Sequence, residues 1–177
     1  HSLSYFEFTP AATHGLTGDE LWGRADAASG EMALRYFAAA TKEYLADRDW
    51  VMACWSHLAF ANKRIQREET AQAKTVLEEL SAMTGRVPID EESLLEVDAF
   101  KRSLYGDIYN LEGDYRQAIK QTRIALDQEL LNPELTETGS FYVATYFQSL
   151  GSYYFNIGDL EQSASCFFKA DDFDGPF

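Results

Sequence analysis

Apolar residues recur every three or four positions along most of the chain, and the strict alternation of a half-buried strand is absent throughout. The pattern predicts an all-α protein. Residues 31–46 carry Met32, Leu34, Tyr36, Phe37, Ala40, Tyr44 and Leu45 on one broad face, ended by the polar Asp47-Arg48-Asp49. A second helix is predicted over 50–66 on Val51, Cys54, Trp55, Leu58, Ala61 and Ile65. A third follows over 70–83, stopped by Thr84-Gly85 and barred from continuing by Val87-Pro88. Asp90 then caps a long helix reaching about Leu111, with Glu91, Glu92, Glu96 and Asp98 in its first turns, where the helix dipole tolerates negative charge. Residues 115–131 form the next helix, ending before Asn132-Pro133 because the residue preceding proline avoids the helical region. Thr136 or Thr138 opens a helix over 139–156, and the last is expected over 160–170. Asp171 to Phe177 reads as a solvated acidic tail.

The first 20 residues, with Pro10, Gly15 and Gly18, hold no lasting period. Tyr5, Phe6 and Phe8 suit an arm docked over an exposed end of the helical stack; lying in its groove is the alternative. Thr17-x-x-Glu20 is a capping-box start leading into Leu21 and Trp22, for a short helix ending near Gly23 or Gly30. The expected organisation is thus an N-terminal arm with a short helix, residues 1–28, packed on a helical array, residues 29–177, with seven or eight helices in all.

A repeat unites these helices. Gly106 and Gly151, Tyr109 and Tyr154, Gly113 and Gly158, and Asp114 and Asp159 are each 45 positions apart. A fixed period of this size signals stacked helical hairpins. Glycine inside an apolar helix costs roughly 1 kcal/mol against alanine, so Gly106 and Gly151 imply another helix passing too close for a side chain. Gly113 and Gly158 fall where a left-handed turn residue closes a helix. Asp114 and Asp159 then read as N-caps, with Gln117 and Gln162 completing a variant capping box. Ala118 and Ser163 supply small residues in the second helix. In the first unit two registers fit. Subtracting 45 pairs Ala61 with Gly106 and Glu68 with Gly113, whereas a two-residue shift pairs Leu58-Ala59 with Leu150-Gly151.

Phe147, Leu150, Gly151, Tyr154, Gly158, Ser163, Phe167 and Ala170 follow the order of the tetratricopeptide repeat, which this chain resembles over roughly residues 50–170. The middle unit matches at Tyr105, Gly106, Tyr109, Gly113, Ala118 and Ala125, but Arg102 and Thr122 depart from the large apolar residues expected there. The period of 45 exceeds the usual 34 and is similar to the extended repeats of kinesin light chains and of maltose-regulator-type bacterial activators. The resemblance implies antiparallel helical hairpins wound in a right-handed superhelix, with the first helices lining a concave, peptide-holding groove. Carried onto this chain, the groove positions are Phe100, Ser103, Asp107 and Asn110 in the middle unit, and Thr145, Gln148, Ser152, Phe155 and Asn156 in the last. Amides and hydroxyls there suit a peptide backbone, and Phe100 and Phe155 suit apolar pockets. The two-Lys, Asn-rich clamp of chaperone-tail-binding members is not reproduced, since Asp107 and Ser152 stand in its place, which disfavours an acidic tail.

A chain of 177 residues, 46% hydrophobic with 12 Phe, 10 Tyr and 3 Trp, has ample material for an ordered core. Fifteen Lys and Arg against 29 Asp and Glu leave a net charge of −14. That field repels nucleic-acid phosphates and favours neutral or basic protein segments; it also keeps a helical repeat dispersed. Cys54 and Cys166 form no disulfide framework and favour a reducing, cytoplasmic setting. The chain opens at His1 rather than Met, which leaves open a cleaved signal or lipoprotein segment upstream. No run of about 18 apolar residues announces a membrane span.

Catalytic chemistry finds little purchase. His57 and Cys54 are an i, i+3 pair able to touch, but neither an orienting group nor an oxyanion site accompanies them. Asp171, Asp172 and Asp174 lack the glycine turn and distal glutamate of a calcium loop. No metal or cofactor is implied, and the expectation is a non-enzymatic, peptide-binding scaffold. The alternative is a ligand- or peptide-sensing module of a larger regulator, as in the extended-repeat activators.

Overall fold

The computed structural model describes residues 13–131 and 137–173, and the side chains of 137 and 138 lie outside that description. The aromatic arm, Asn132-Pro133, Thr136 and Asp174 therefore fall outside the described residues. Within them the chain is helical, with no strand. The helices are α1 (Gly18–Ala27), α2 (Gly30–Ala46), α3 (Trp50–Gln66), α4 (Thr70–Thr84), α5 (Glu91–Leu111), α6 (Tyr115–Leu130), α7 (Glu137–Asn156) and α8 (Leu160–Phe173). They belong to two compact units, residues 1–97 and 98–177, with the boundary inside α5.

The period is written into the backbone. Helices α4, α6 and α8 begin at Thr70, Tyr115 and Leu160, and α3, α5 and α7 end at Gln66, Leu111 and Asn156, each 45 residues after the last. Four turns share one C-terminal motif. The amides of Asp49, Glu69, Asp114 and Asp159 donate to the carbonyls of Tyr44, Arg64, Tyr109 and Tyr154 at 2.9–3.0 Å. The preceding residues, Arg48, Glu68, Gly113 and Gly158, all have positive φ, at 59°, 59°, 81° and 83°. This is the Schellman arrangement, which satisfies the orphan carbonyls of a helix end. Glu68 thus holds the conformation of Gly113 and Gly158, which selects the straight 45-residue register and excludes the two-residue shift. The side chains of Asp49, Asp114 and Asp159 accept from the amides of Met52, Gln117 and Gln162, as N-caps should. Glu69, at the same place before α4, instead pairs with Arg64 and Arg67.

In the first unit α1 packs on α2. Thr17 and Glu20 form a complete capping box, and α1 runs past Gly23 to Ala27, stopping near Gly30, the second of the two expected ends. Leu21, Ala39, Ala40, Tyr44 and Ala53 share a core with Trp22, Tyr36 and Met52 at its edge. Gly18 lies against the Tyr44 ring, whose hydroxyl donates to Asp19 at 2.6 Å. The hydroxyls of Thr41 and Ser56 meet at 2.7 Å inside this unit.

In the second unit the core gathers Ala99, Ala125, Leu126, Val143, Tyr146, Phe147, Leu150, Tyr154, Cys166 and Ala170. Gly106 and Gly151 are buried, and each opposes the second helix of its own hairpin. A β-carbon at Gly106 would overlap the Thr122 hydroxyl and approach the Ala118 carbonyl at 3.3 Å; one at Gly151 would sit 2.8 Å from the Phe167 ring. The small Ser163 donates to the Gly151 carbonyl at 2.7 Å across the same contact. Helix α8 continues three residues beyond Ala170, so Asp171, Asp172 and Phe173 are helical rather than part of a loose tail. Negative charge is unfavourable at a helix C-terminus. The Phe173 ring stacks on Phe147 at 5.9 Å, which offsets it.

Candidate functional site

The residues singled out on α5 and α7 all lie in the second unit. Three of the α5 members, Phe100, Asp107 and Asn110, face partners on α7. Phe100 is half-buried with its ring 5.5 Å from that of Tyr142. Ser103 is buried and donates to the Phe100 carbonyl at 2.7 Å, within its own helix. Asp107 accepts a 2.6 Å hydrogen bond from the Tyr153 hydroxyl. Asn110 accepts from the Asn156 amide at 3.1 Å. The contacts run in the same order on both helices, so α7 lies parallel to α5.

Burial raises the Asp107 carboxyl above the ordinary carboxylate range, and the Tyr153 bond only partly opposes it. Burial, followed by the Asp107 charge, likewise pushes the Tyr153 phenol well above its usual value, against the pull of the Ser149 and Thr122 hydroxyls. Tyr146 is driven up by burial and by the charge of Glu129. The region between α5 and α7 is therefore a polar seam inside an apolar unit, held in one register by hydrogen bonds.

Of the α7 members, Thr145 is half-buried and the others are open to solvent. Gln148 and Ser152 are exposed, and the Ser152 hydroxyl donates to the Gln148 carbonyl at 3.2 Å. Phe155 is 62% and Phe141 61% exposed. Phe141, Thr145, Gln148, Ser152 and Phe155 fall at helical spacing on one stripe of α7. The middle three of these, with Ser149 and with Phe167, Ala170 and Asp171 of α8, line a trough of about 530 Å³. Sequence reasoning did not place these three α8 residues in the site. The signal for one was present: Phe167 follows Gly151 at the separation by which Thr122 follows Gly106.

A second, smaller cavity of about 270 Å³ lies in the first unit, between Leu45, His57, Glu79, Met83, Arg86 and Val87. His57 is buried there, with Nε2 2.8 Å from the Val76 carbonyl. Because the carbonyl only accepts, that nitrogen carries the proton. Burial lowers the His57 pKa to about 4 and pushes the Cys54 thiol up to about 11. The two are neutral neighbours on α3, not a thiolate–imidazolium pair.

Among the described residues no group of three or more His, Cys, Asp or Glu side chains is placed to hold a metal ion, and no helix is long and apolar enough to cross a membrane. Comparison of the chain with protein-family models, with characterised proteins and with solved structures finds no significant match.

Proposed function

We propose that the protein is a non-enzymatic scaffold of tetratricopeptide-repeat type that holds a segment of another protein on the open face of its second unit. The observation that carries this reading is the uncovered α7 stripe, where the amide and hydroxyl of Gln148 and Ser152 line an open trough and the exposed Phe141 and Phe155 lie before and after them on the same helix. Rings supply apolar anchors and the polar groups between them suit a peptide backbone. The net charge of −14 favours neutral or basic segments, and two unpaired, buried cysteines suit a cytoplasmic setting. Titration with a cationic peptide at rising ionic strength tests the reading. Affinity falls between about 50 and 500 mM salt if charge steers the contact; affinity indifferent to salt removes that part of it.

The cavity beside His57 favours the second reading, a sensing module of a larger regulator. Its lining of Leu45, Met83 and Val87 with Glu79 and Arg86 at the edge suits a small apolar ligand carrying one polar group. Thermal-shift screening against such compounds, with Met83→Trp filling the cavity as control, separates this reading from the first.

A further inference from the structure

Shifted by 45 residues, the α5–α6 surface that α7 covers becomes the α7–α8 surface that lies open. Phe100, Asp107, Thr122, Ala125 and Leu126 map onto Thr145, Ser152, Phe167, Ala170 and Asp171, and those five all line the trough. In the covered set, Phe100 meets the Tyr142 ring and Asp107 the Tyr153 hydroxyl, while Ala125 and Leu126 pack in one cluster with Val143 and Tyr146 of α7. The open face therefore continues, by the chain's own period, an interface already built to receive a helix parallel to α7.

We infer that the α7–α8 trough is a docking site for an amphipathic helix of a partner protein. The inference rests on the scaffold reading and adds the conformation and chemistry of the bound segment. In the register of α7 on α5, three positions spaced as Tyr142, Tyr153 and Asn156 face Thr145, Ser152 and Phe155, which calls for a helix of about 15 residues or more. Opposite Phe155 and Phe167, 62% and 42% exposed, the occupant presents aliphatic or aromatic side chains. Where Leu126 is apolar, its counterpart Asp171 is acidic, with Asp172 beside it. That end of the trough receives the first half of a parallel helix, so the occupant carries Lys or Arg there, and its positive dipole end adds to the match.

The probe is a labelled synthetic peptide of residues 137–156 carrying Gly139→Arg and Asn156→Leu, with a second peptide that also carries Ala144→Pro and cannot stay helical. Fluorescence anisotropy against the intact chain reads affinity, and circular dichroism confirms that each protein variant is folded. The helical peptide binds, the proline peptide binds about tenfold more weakly or worse, and Ser152→Tyr and Asp171→Lys each weaken the helical peptide by about tenfold. Asp171 lies on the exposed face of α8, so Asp171→Lys serves even if Ser152→Tyr does not fold. Equal binding of the two peptides overturns the helix-docking inference while leaving the scaffold reading intact. Binding untouched by either protein variant also overturns it. So does sedimentation as a dimer that Ser152→Tyr dissolves, because the occupant is then a second copy of the chain.

Discussion

The Thr122 side chain lies so close over Gly106 that a β-carbon there would have no room. Sixteen residues separate the two, and the same number separates Gly151 from Phe167, whose ring fills the equivalent place in the next hairpin. The pair defines the hairpin: a glycine in the first helix and the side chain that closes on it from the second.

Gly106→Ala is expected to lower stability by up to about 2 kcal/mol, because overpacking of about 1–3 kcal/mol is set against the roughly 1 kcal/mol gained in helix propensity. Gly151→Ala costs less, since its neighbour is the 42% exposed Phe167 ring, which has room to turn aside. Combining Gly106→Ala with Thr122→Ala recovers part of the loss. Urea denaturation of the two single variants and the double variant gives the coupling directly.

Glu68 holds a left-handed conformation that glycine adopts without strain. Glu68→Gly is predicted to stabilise the protein by about 1 kcal/mol and Gly113→Ala to destabilise it by a similar amount. Equilibrium unfolding compares them. Opposite signs are expected from positions 45 residues apart that share one backbone geometry.

His57 makes stability depend on acid. Its folded pKa of about 4 lies below the unfolded value near 6.5, so the unfolded chain binds the extra proton between these two values. The contribution is fully present above about pH 6.5 and declines as pH falls toward 4, by about 3 kcal/mol in all. Comparing wild type with His57→Gln across this window isolates the term: the variant loses that part of the slope.

Asp107 works in the opposite direction. Its raised carboxyl pKa means that its contribution is present at low pH and declines as pH rises through the folded value. Asp107→Asn keeps an oxygen acceptor for Tyr153 and removes the buried charge. The variant is predicted to be more stable than wild type at pH 7, by a margin that shrinks in acid. Thermal unfolding at pH 7 and at pH 3.5 reads the difference.

Much of the fold was legible because its signals are local. Asp49, Asp114 and Asp159 cap helices that begin at the next residue, and Gly113 and Gly158 close the helices before them. The extension of α8 to Phe173 was not legible, because it depends on a ring 26 residues earlier in sequence. Glu68 pairs with Gly113 in only one of two registers, and a glutamate gives no local sign of a left-handed backbone; its positive φ and the hydrogen bond from Glu69 to Arg64 place it in the motif. On the candidate surface, the resemblance to the repeat singled out Gln148, Ser152 and Phe155, which are exposed on α7. The engagement of Asp107 by Tyr153, 46 residues away, belongs to the packing of α7 on α5 and has no local signature.

The central claim, that the open α7 face holds a protein segment, is tested most directly by mapping amide shifts of the isotope-labelled chain during titration with a cationic peptide. The account predicts that perturbations concentrate on Phe141, Thr145, Gln148, Ser152 and Phe155, with Phe167 and Asp171 following. A saturable titration that leaves these amides unmoved and shifts others contradicts it.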